Sequence, residues 1–371
     1  MIELLDPTTL TPLQLGAWRD LAACAAEPNP FFDPTVVLAA IRHLPDGPDV
    51  RLLVARRGER WIAALPVLTA RRWRRYPMAC TVAWSHPFCF LGTPLLAADD
   101  LDRAALALFE APQQVTPHPL LVLENVGQDG PVAQAIHDVT DGATLFSLHH
   151  ESRAALLRRP ENDYVDSHRS GKRRREAKRL RTRLEAELGG PTGLVDHGCS
   201  PDAIRRFLAL EASGWKGRAA SALDSDPAHA AFFRDVCTAP GATVQSRILE
   251  LGVTDRPAAM LFTLQAGSAA FAVKLAHDER LATGAPGVQL MTESADWFHG
   301  LPTVQRFDSC ARPDNPMINA LWPDRRTTAS IAITAPGIAG ALSRTTLRAY
   351  ATAQRRRPGP AAPVPAAQVA R

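Results

Sequence analysis

Residues Ala269–Leu290 read AAFAVKLAHDERLATGAPGVQL, and this stretch sets the fold class. Its first eight residues alternate as a strand does, with Phe271, Val273 and Leu275 on one face and Ala270, Ala272, Lys274 and Ala276 on the other. A face of alanines leaves room, and an ammonium placed there can meet an anion or a developing negative charge. The same pattern also suits a sheet face covered by a helix, with Lys274 reaching solvent at its rim. Gly284-Ala285-Pro286-Gly287 then leads into a helical run from Val288 to Phe298. A glycine-containing turn between strand and helix frees backbone N–H groups at a positive helix end, a good seat for a diphosphate. It is equally able to be a tight turn that only starts a helix.

Working outward, two more strand-like runs, Val244–Leu251 and Ala258–Gln265, precede this one, and helices over Pro201–Trp215 and Ala228–Val236 precede them. After it come a short strand ending at Asp308, a helix near Asn315–Leu321 and a strand over Thr327–Thr334. The first half reads similarly. It has a helix within Thr11–Glu27, a helix after Asp33-Pro34, a hairpin of Val50–Arg57 and Trp61–Leu68 around Gly58, and a helix near Asp99–Glu110. A strand at Leu120–Val126, a helix after Pro131 and a strand around Thr144–Leu148 complete it. Helix–hairpin order thus occurs twice, around 34–69 and 228–265, which points to an internal duplication of pattern. The alternation predicts an α/β protein with mixed sheets, and 371 residues exceed what one core usually organises, so two domains are expected.

With 46% apolar and 22% charged residues the chain is globular in composition. A net charge of +4 is modest, but nine Lys or Arg fall between Arg169 and Arg183. Ala177, Leu180, Leu184 and Leu188 form a narrow helical stripe through that run, so one face packs and the rest is cationic. Such a run serves as a solvated helix, a seat for an anionic ligand or a nucleic-acid contact; without interleaved aromatics it is no single-strand stacking platform. The six cysteines show no Cys-x-x-Cys pair and no zinc spacing, and are expected as reduced thiols of a cytosolic protein. Met1–Leu10 show no basic start followed by an apolar run, and no stretch of about 18 apolar residues occurs, so neither secretion nor membrane spanning is expected. The tail Arg355–Arg371, with Pro358, Pro360, Pro363 and Pro365, is expected to be disordered.

Two acids stand out. Glu211 shares an apolar helical stripe with Ile204, Phe207, Leu208 and Trp215, which suits a general base, a buried ion pair or an anchor for the turn Gly214–Arg218. Asp308 ends a strand, where α/β sheets bring side chains to ligands, and is the leading candidate for acceptor binding or proton removal. Ser309 and Cys310 are set aside as nucleophiles because no His lies near them in sequence. Pro313 and Asp314 are expected to start the next helix, with Asp314 as its cap.

Several segments together carry a family resemblance: Asn29-Pro30-Phe31-Phe32, Ser167-His168-Arg169, Glu211-Ala212-Ser213-Gly214-Trp215-Lys216-Gly217, Lys274-Leu275-Ala276-His277-Asp278, Ala285-Pro286-Gly287 and Phe307-Asp308. Over about residues 28–335 the chain resembles the GNAT acetyltransferases, in the CelD-like branch related to the FemAB transferases. The resemblance implies an α/β protein of two GNAT-like domains packed side by side, 1–160 and 191–345, joined by a basic helix or linker at 161–190 and followed by the tail 355–371. It implies acetyl-CoA or another acyl-CoA as co-substrate and no metal. Arg280, Gly284, Ala285, Pro286, Gly287 and Val288 would hold the diphosphate, and Lys274 would lie beside the pantetheine. Here Arg280 is followed only by Gly284 and Gly287, fewer glycines than the GNAT phosphate signature carries. The implied reaction is N-acylation of a small-molecule or saccharide amine, with Asp308 as first and Glu211 as second choice of base, Lys274 as a further catalytic candidate, and Trp215, Lys216 and Asp308 lining the acceptor site. The FemAB kinship implies an alternative, an aminoacyl-tRNA donor whose phosphates meet the Arg169–Arg183 helix. A third reading is a non-catalytic module in polysaccharide production.

Overall fold

The computed structural model describes residues 1–74, 76, 78–140, 145–165, 170–214, 217, 219, 222–239, 243–254 and 256–355. The chain begins with strand β1 (Ile2–Leu5), helices α1 (Pro12–Cys24) and α2 (Pro34–His43), and the meander β2 (Arg51–Arg57), β3 (Arg60–Ala70) and β4 (Cys80–Ala83). The short β5 (Leu95–Leu96), α3 (Leu101–Gln114), β6 (Leu120–Gly127), α4 (Pro131–Asp138) and the long β7 (Leu145–Leu157) follow. The order then starts again: the basic helix α5 (Gly171–Leu188), β8 (Gly193–Asp196), α6 (Pro201–Ser213), α7 (Pro227–Thr238), and the meander β9 (Gln245–Val253), β10 (Arg256–Ala266) and β11 (Ala269–His277). Helix α8 (Pro286–His299), β12 (Arg306–Asp308), α9 (Pro316–Asn319), β13 (Asp324–Thr334) and α10 (Gly337–Arg355) close the chain.

The chain divides into two compact units, Met1–Glu151 with Thr327–Arg371, and Ser152–Arg326. From sequence the second domain was expected over 191–345; the chain instead returns to the first unit at Thr327. In the first unit the strand order is β1-β2-β3-β4-β6-β13, antiparallel except where β4 and β6 run parallel, Thr81 opposite Leu121. In the second unit it is β8-β9-β10-β11-β12-β7, antiparallel except where β11 and β12 run parallel, Ala269 opposite Arg306. Each unit therefore places strand, two helices, a meander, a helix and a parallel strand in the same succession.

Proline punctuates this succession. Helices α1, α2, α4, α6, α7, α8 and α9 all open on Pro, where a missing N–H costs nothing. Most carry a side-chain cap just before it: Thr11, Asp33, Ser200, Asp226 and Asn315 each accept a first-turn amide. For α9 the cap is Asn315, not the expected Asp314; its Oδ1 takes the amides of both Met317 and Ile318. Gly130 cannot cap α4, and Glu27 does so from a distance through the Val132 amide. Among the described residues, α8 alone of these helices has no side-chain acceptor at its start.

The core of the second unit lies between the sheet and helices α5 and α8. Leu184 and Leu188 of α5 pack there with Leu290, Met291, Ala295 and Phe298 of α8 and with Phe307 and Trp322. The stripe expected on the basic helix thus holds, with Leu184 and Leu188 buried and Ala177 and Leu180 half-buried. Arg158 closes the other end of α8 by donating to the carbonyls of Phe298, His299, Leu301 and Val304. Among the described residues no helix is long and apolar enough to cross a membrane, and no cluster of His, Cys, Asp or Glu is able to hold a metal ion. All six cysteines are free. Residues 356–371, most of the tail expected to be disordered, lie outside the described residues, as do His168 and Arg169.

Candidate active site

Strand β11 carries one feature that the alternation of its sequence hides. Phe262 of β10 pairs with Lys274, but the next residue, Thr263, pairs with Ala272, so Val273 is an extra residue in a β-bulge. One extra residue moves every later side chain to the opposite face. Ala270 and Ala272 pack into the core under α8, and beyond the bulge it is Leu275 that joins them. Lys274 is thereby carried off the alanine face on which the sequence placed it. It follows Phe262, whose ring meets Phe233 of α7 at a centroid distance of 4.9 Å, and points to helices α6 and α7.

There Lys274 meets Glu211. Its ammonium lies 3.1 Å from Glu211 Oε1, with the lysine side chain 18% exposed and the glutamate fully buried. The second carboxylate oxygen accepts the Leu223 amide at 2.9 Å. The apolar stripe of α6 thus brings Glu211 into the interior, and the bulge supplies its counter-charge. Trp215 and Lys216, expected to line the acceptor site, lie outside the described residues.

Asp308 is likewise buried but differently engaged. Arg153 holds it with two of its three guanidinium nitrogens, Nε to Oδ1 at 2.7 Å and Nη2 to Oδ2 at 2.8 Å. Arg326 adds a second cation 3.5 Å from Oδ2, and the Cys310 amide donates to Oδ1 at 2.9 Å. Burial alone would push this carboxyl up. The charges of Arg153 and Arg326 and the hydrogen bonds from Arg153 and Cys310 outweigh it and hold the group below the usual carboxylate range. A carboxylate so occupied is a poor proton acceptor, so the role of base expected for Asp308 does not fit its surroundings; the geometry suits an anchor that ties β7, β12 and the start of β13 together.

The turn after β11 is a 3₁₀ segment, Glu279–Gly284, capped by Asp278, which accepts the Arg280 amide. Arg280, 88% exposed, folds back onto Asp278 at 2.7 Å. Its guanidinium, with the Arg280 amide, holds the Asp278 carboxyl below its ordinary value. Gly284 sits against α5 so closely that a Cβ there would lie 2.8 Å from the Leu184 Cβ. Ala285 then adopts the left-handed conformation, φ 49° and ψ 54°, which an L-residue enters only under constraint. Behind it α8 begins. Pro286 has no N–H, Gln289 donates to the Ala285 carbonyl, and the amides of Gly287 and Val288 have no described acceptor. Two donors at a positive helix end, kept clear of side chains, make a place for an anion.

Beside this helix start the sheet divides. Strand β12 pairs with only Ala269, Ala270 and Phe271, and no described strand continues along that side of β11 towards His277. A meander, a bulged strand splitting from its parallel neighbour, and an uncapped glycine-containing helix start define the GNAT acyltransferase fold, whose succession of elements this chain carries twice.

Comparison with known proteins agrees. Residues 171–315 match a family model described as an acetyltransferase (GNAT) domain. FemX is similar in structure at 7% identity, covering 90% of this chain and 98% of that one, with a TM-score of 0.57. A conserved protein of unknown function from Bacteroides thetaiotaomicron is similar at 13% identity, covering 90% of this chain and 100% of that one, with a TM-score of 0.55. At such identities the likeness shows the fold alone. Among curated proteins no sequence matches. Residues 171–315 thus match the GNAT domain model, and the fold as a whole is that of FemX and its like.

Proposed function

We propose that the second unit binds an acyl-CoA and transfers its acyl group directly to an amine acceptor, a small molecule or a saccharide. The observation that carries this reading is the start of α8: alone among the proline-initiated helices described, it keeps two amides, those of Gly287 and Val288, clear of any side-chain acceptor. A diphosphate supplies the acceptors that the protein withholds. The pantetheine arm then runs along the side of β11 that β12 leaves, as an extended, amide-bearing chain adding to a sheet edge.

This path leads to Val273 and Lys274. The bulge takes the Val273 amide out of register with β10, and an off-ladder N–H suits the oxygen of a thioester under attack. Glu211 fixes the Lys274 ammonium beside it, where a cation stabilises the charge developing on oxygen and on the departing sulfur. The amine nitrogen bonds to the acyl carbon, the C–S bond breaks, and the departing sulfur takes up the proton that the nitrogen loses, so that CoA leaves as its thiol. In this scheme Lys274 and Glu211 act as a unit, and Asp308 holds the strand end on which the site is built. Incubating the protein with acetyl-CoA and a panel of amines and amino sugars, and reading released thiol, tests the reaction. Release with at least one acceptor, lost in Lys274→Met, is expected; no acceptor-dependent release from folded protein would overturn it.

A further inference from the structure

Cys199 and Cys237 meet in the second unit. Cys199 lies in the turn that enters α6 and Cys237 in the last turn of α7, and their side chains are hydrogen-bonded to each other. Both are free thiols and half-buried, so solvent reaches the pair. The backbone fixes each of them against β9. The Ile248 carbonyl accepts the His197 amide at 3.1 Å, the Ile248 amide donates to the Gly198 carbonyl at 2.7 Å, and the Asp196 carboxylate accepts the Gly198 amide at 2.9 Å. Gly198 takes φ 57°, the left-handed turn that leads Cys199 into the start of the helix. Two residues back along β9, Ser246 donates its hydroxyl to the Val236 carbonyl at 3.1 Å, which holds the end of α7 beside the same strand. Helices α6 and α7 also pack through Phe207 and Phe233, stacked with their centroids 5.3 Å apart. Sulfurs already in contact can close to a bond by side-chain rotation, where cysteines farther apart would need the chain to move.

We propose that Cys199 and Cys237 are an oxidation site, which a low-molecular-weight disulfide such as glutathione disulfide converts to an intramolecular bridge between the start of α6 and the end of α7. Burial, and then the neighbouring Cys199, push the Cys237 thiol well above its ordinary value, so Cys237 stays protonated and Cys199 is the sulfur that meets the reagent first. Cys199 attacks one sulfur of the reagent, the S–S bond of the reagent breaks, and a first small thiol leaves with the Cys199 proton. Cys237 then attacks the Cys199 sulfur of the mixed disulfide, and a second small thiol leaves with the Cys237 proton. Two protein thiols are oxidised, and one reagent disulfide is reduced to two thiols. The bridge closes a ring over residues 199–237, which contains Glu211 and the Leu223 amide bonded to it. Oxidation thus constrains the layer that holds Glu211 against Lys274, whether or not the second unit takes an acyl-CoA.

Incubating the full chain, reduced and then freed of reductant, with glutathione disulfide tests this, the remaining thiols being alkylated in denaturant and the protein peptide-mapped by mass. The wild type should yield Cys199 and Cys237 in one linked pair of peptides. Its melting temperature should rise by roughly 4–16 °C, because a cross-link restricts the unfolded chain, and dithiothreitol should reverse both changes. Cys199→Ser and Cys237→Ser should give no linked pair and no oxidant-dependent rise. Recovery of both cysteines alkylated from oxidant-treated, folded wild type would overturn the proposal. So would glutathione retained on Cys199 beside an alkylated Cys237, or an equal rise in either variant. The mapping needs only the wild type, so a variant that fails to fold leaves the test standing.

Discussion

Replacing Asp308 by Asn separates an anchor from a base. The carboxylate is fully buried and touches two guanidiniums that are themselves almost fully buried, Arg153 through two hydrogen bonds and Arg326 at 3.5 Å. Asn keeps an oxygen for the Cys310 amide but removes the charge, and it turns an NH₂ towards a guanidinium. Removing one partner of a buried ion pair costs about 3–5 kcal/mol. At roughly 2–4 °C per kcal/mol for a unit of this size, the melting temperature should fall by roughly 6–20 °C at pH 7. Acid should erase the difference. The folded carboxyl titrates below its ordinary value, so its contribution is complete above the unfolded value of about 3.9 and is lost as pH falls through the lower folded value. Calorimetry of wild type and Asp308→Asn between pH 3 and pH 7 measures both effects. An unchanged melting temperature at pH 7 combined with abolished thiol release would refute this reasoning and restore Asp308 as the base.

Four further outcomes follow from the same geometry. Glu211→Gln and Lys274→Met should each destabilise the second unit, while the double variant should lose less than their sum, because each single change leaves a buried charge behind; a double-mutant cycle in urea should give a coupling of about 1–3 kcal/mol. Gly284→Val should lower the melting temperature by the equivalent of about 1–3 kcal/mol, since its Cβ would collide with Leu184. Ala285→Gly should raise stability by up to about 1.6 kcal/mol, the relief of a left-handed residue, about 1–2 kcal/mol, less the added freedom of the unfolded chain, about 0.4–1 kcal/mol. Val288→Glu should lower the melting temperature modestly, because Val288 packs half-buried against the core of the second unit while an acid otherwise suits a helix start, and should weaken acetyl-CoA binding by at least about tenfold in a titration.

Much of this fold was legible because its helices announce themselves. Thr11-Pro12, Asp33-Pro34 and Ser200-Pro201 each set a cap before a proline, and the runs between them keep a helical or strand period. Elements without such marks went unread. Strands β4 and β8 have four residues each, too short to show a period, and α10 begins amid Thr, Ser and Gly although Ser343 and Leu347 are buried. The candidate site was legible by position but not by partnership. Glu211, Lys274, the turn Gly284–Gly287 and Asp308 were each marked by local pattern, whereas Arg153, 155 positions from Asp308, carries no local sign of its role. The bulge was hidden for a physical reason: β11 is small or apolar on both faces, so an inserted Val273 breaks no visible alternation, yet it decides that Lys274 meets Glu211.

The most direct test is a calorimetric titration of the intact chain with acetyl-CoA, beside Val288→Glu as the control. Saturable binding at one site per chain in the wild type, weakened in the variant while its fold is kept, is the predicted result. Absence of saturable binding at millimolar acetyl-CoA by folded protein, or equal binding by the variant, would contradict the assignment of the start of α8 as the diphosphate seat.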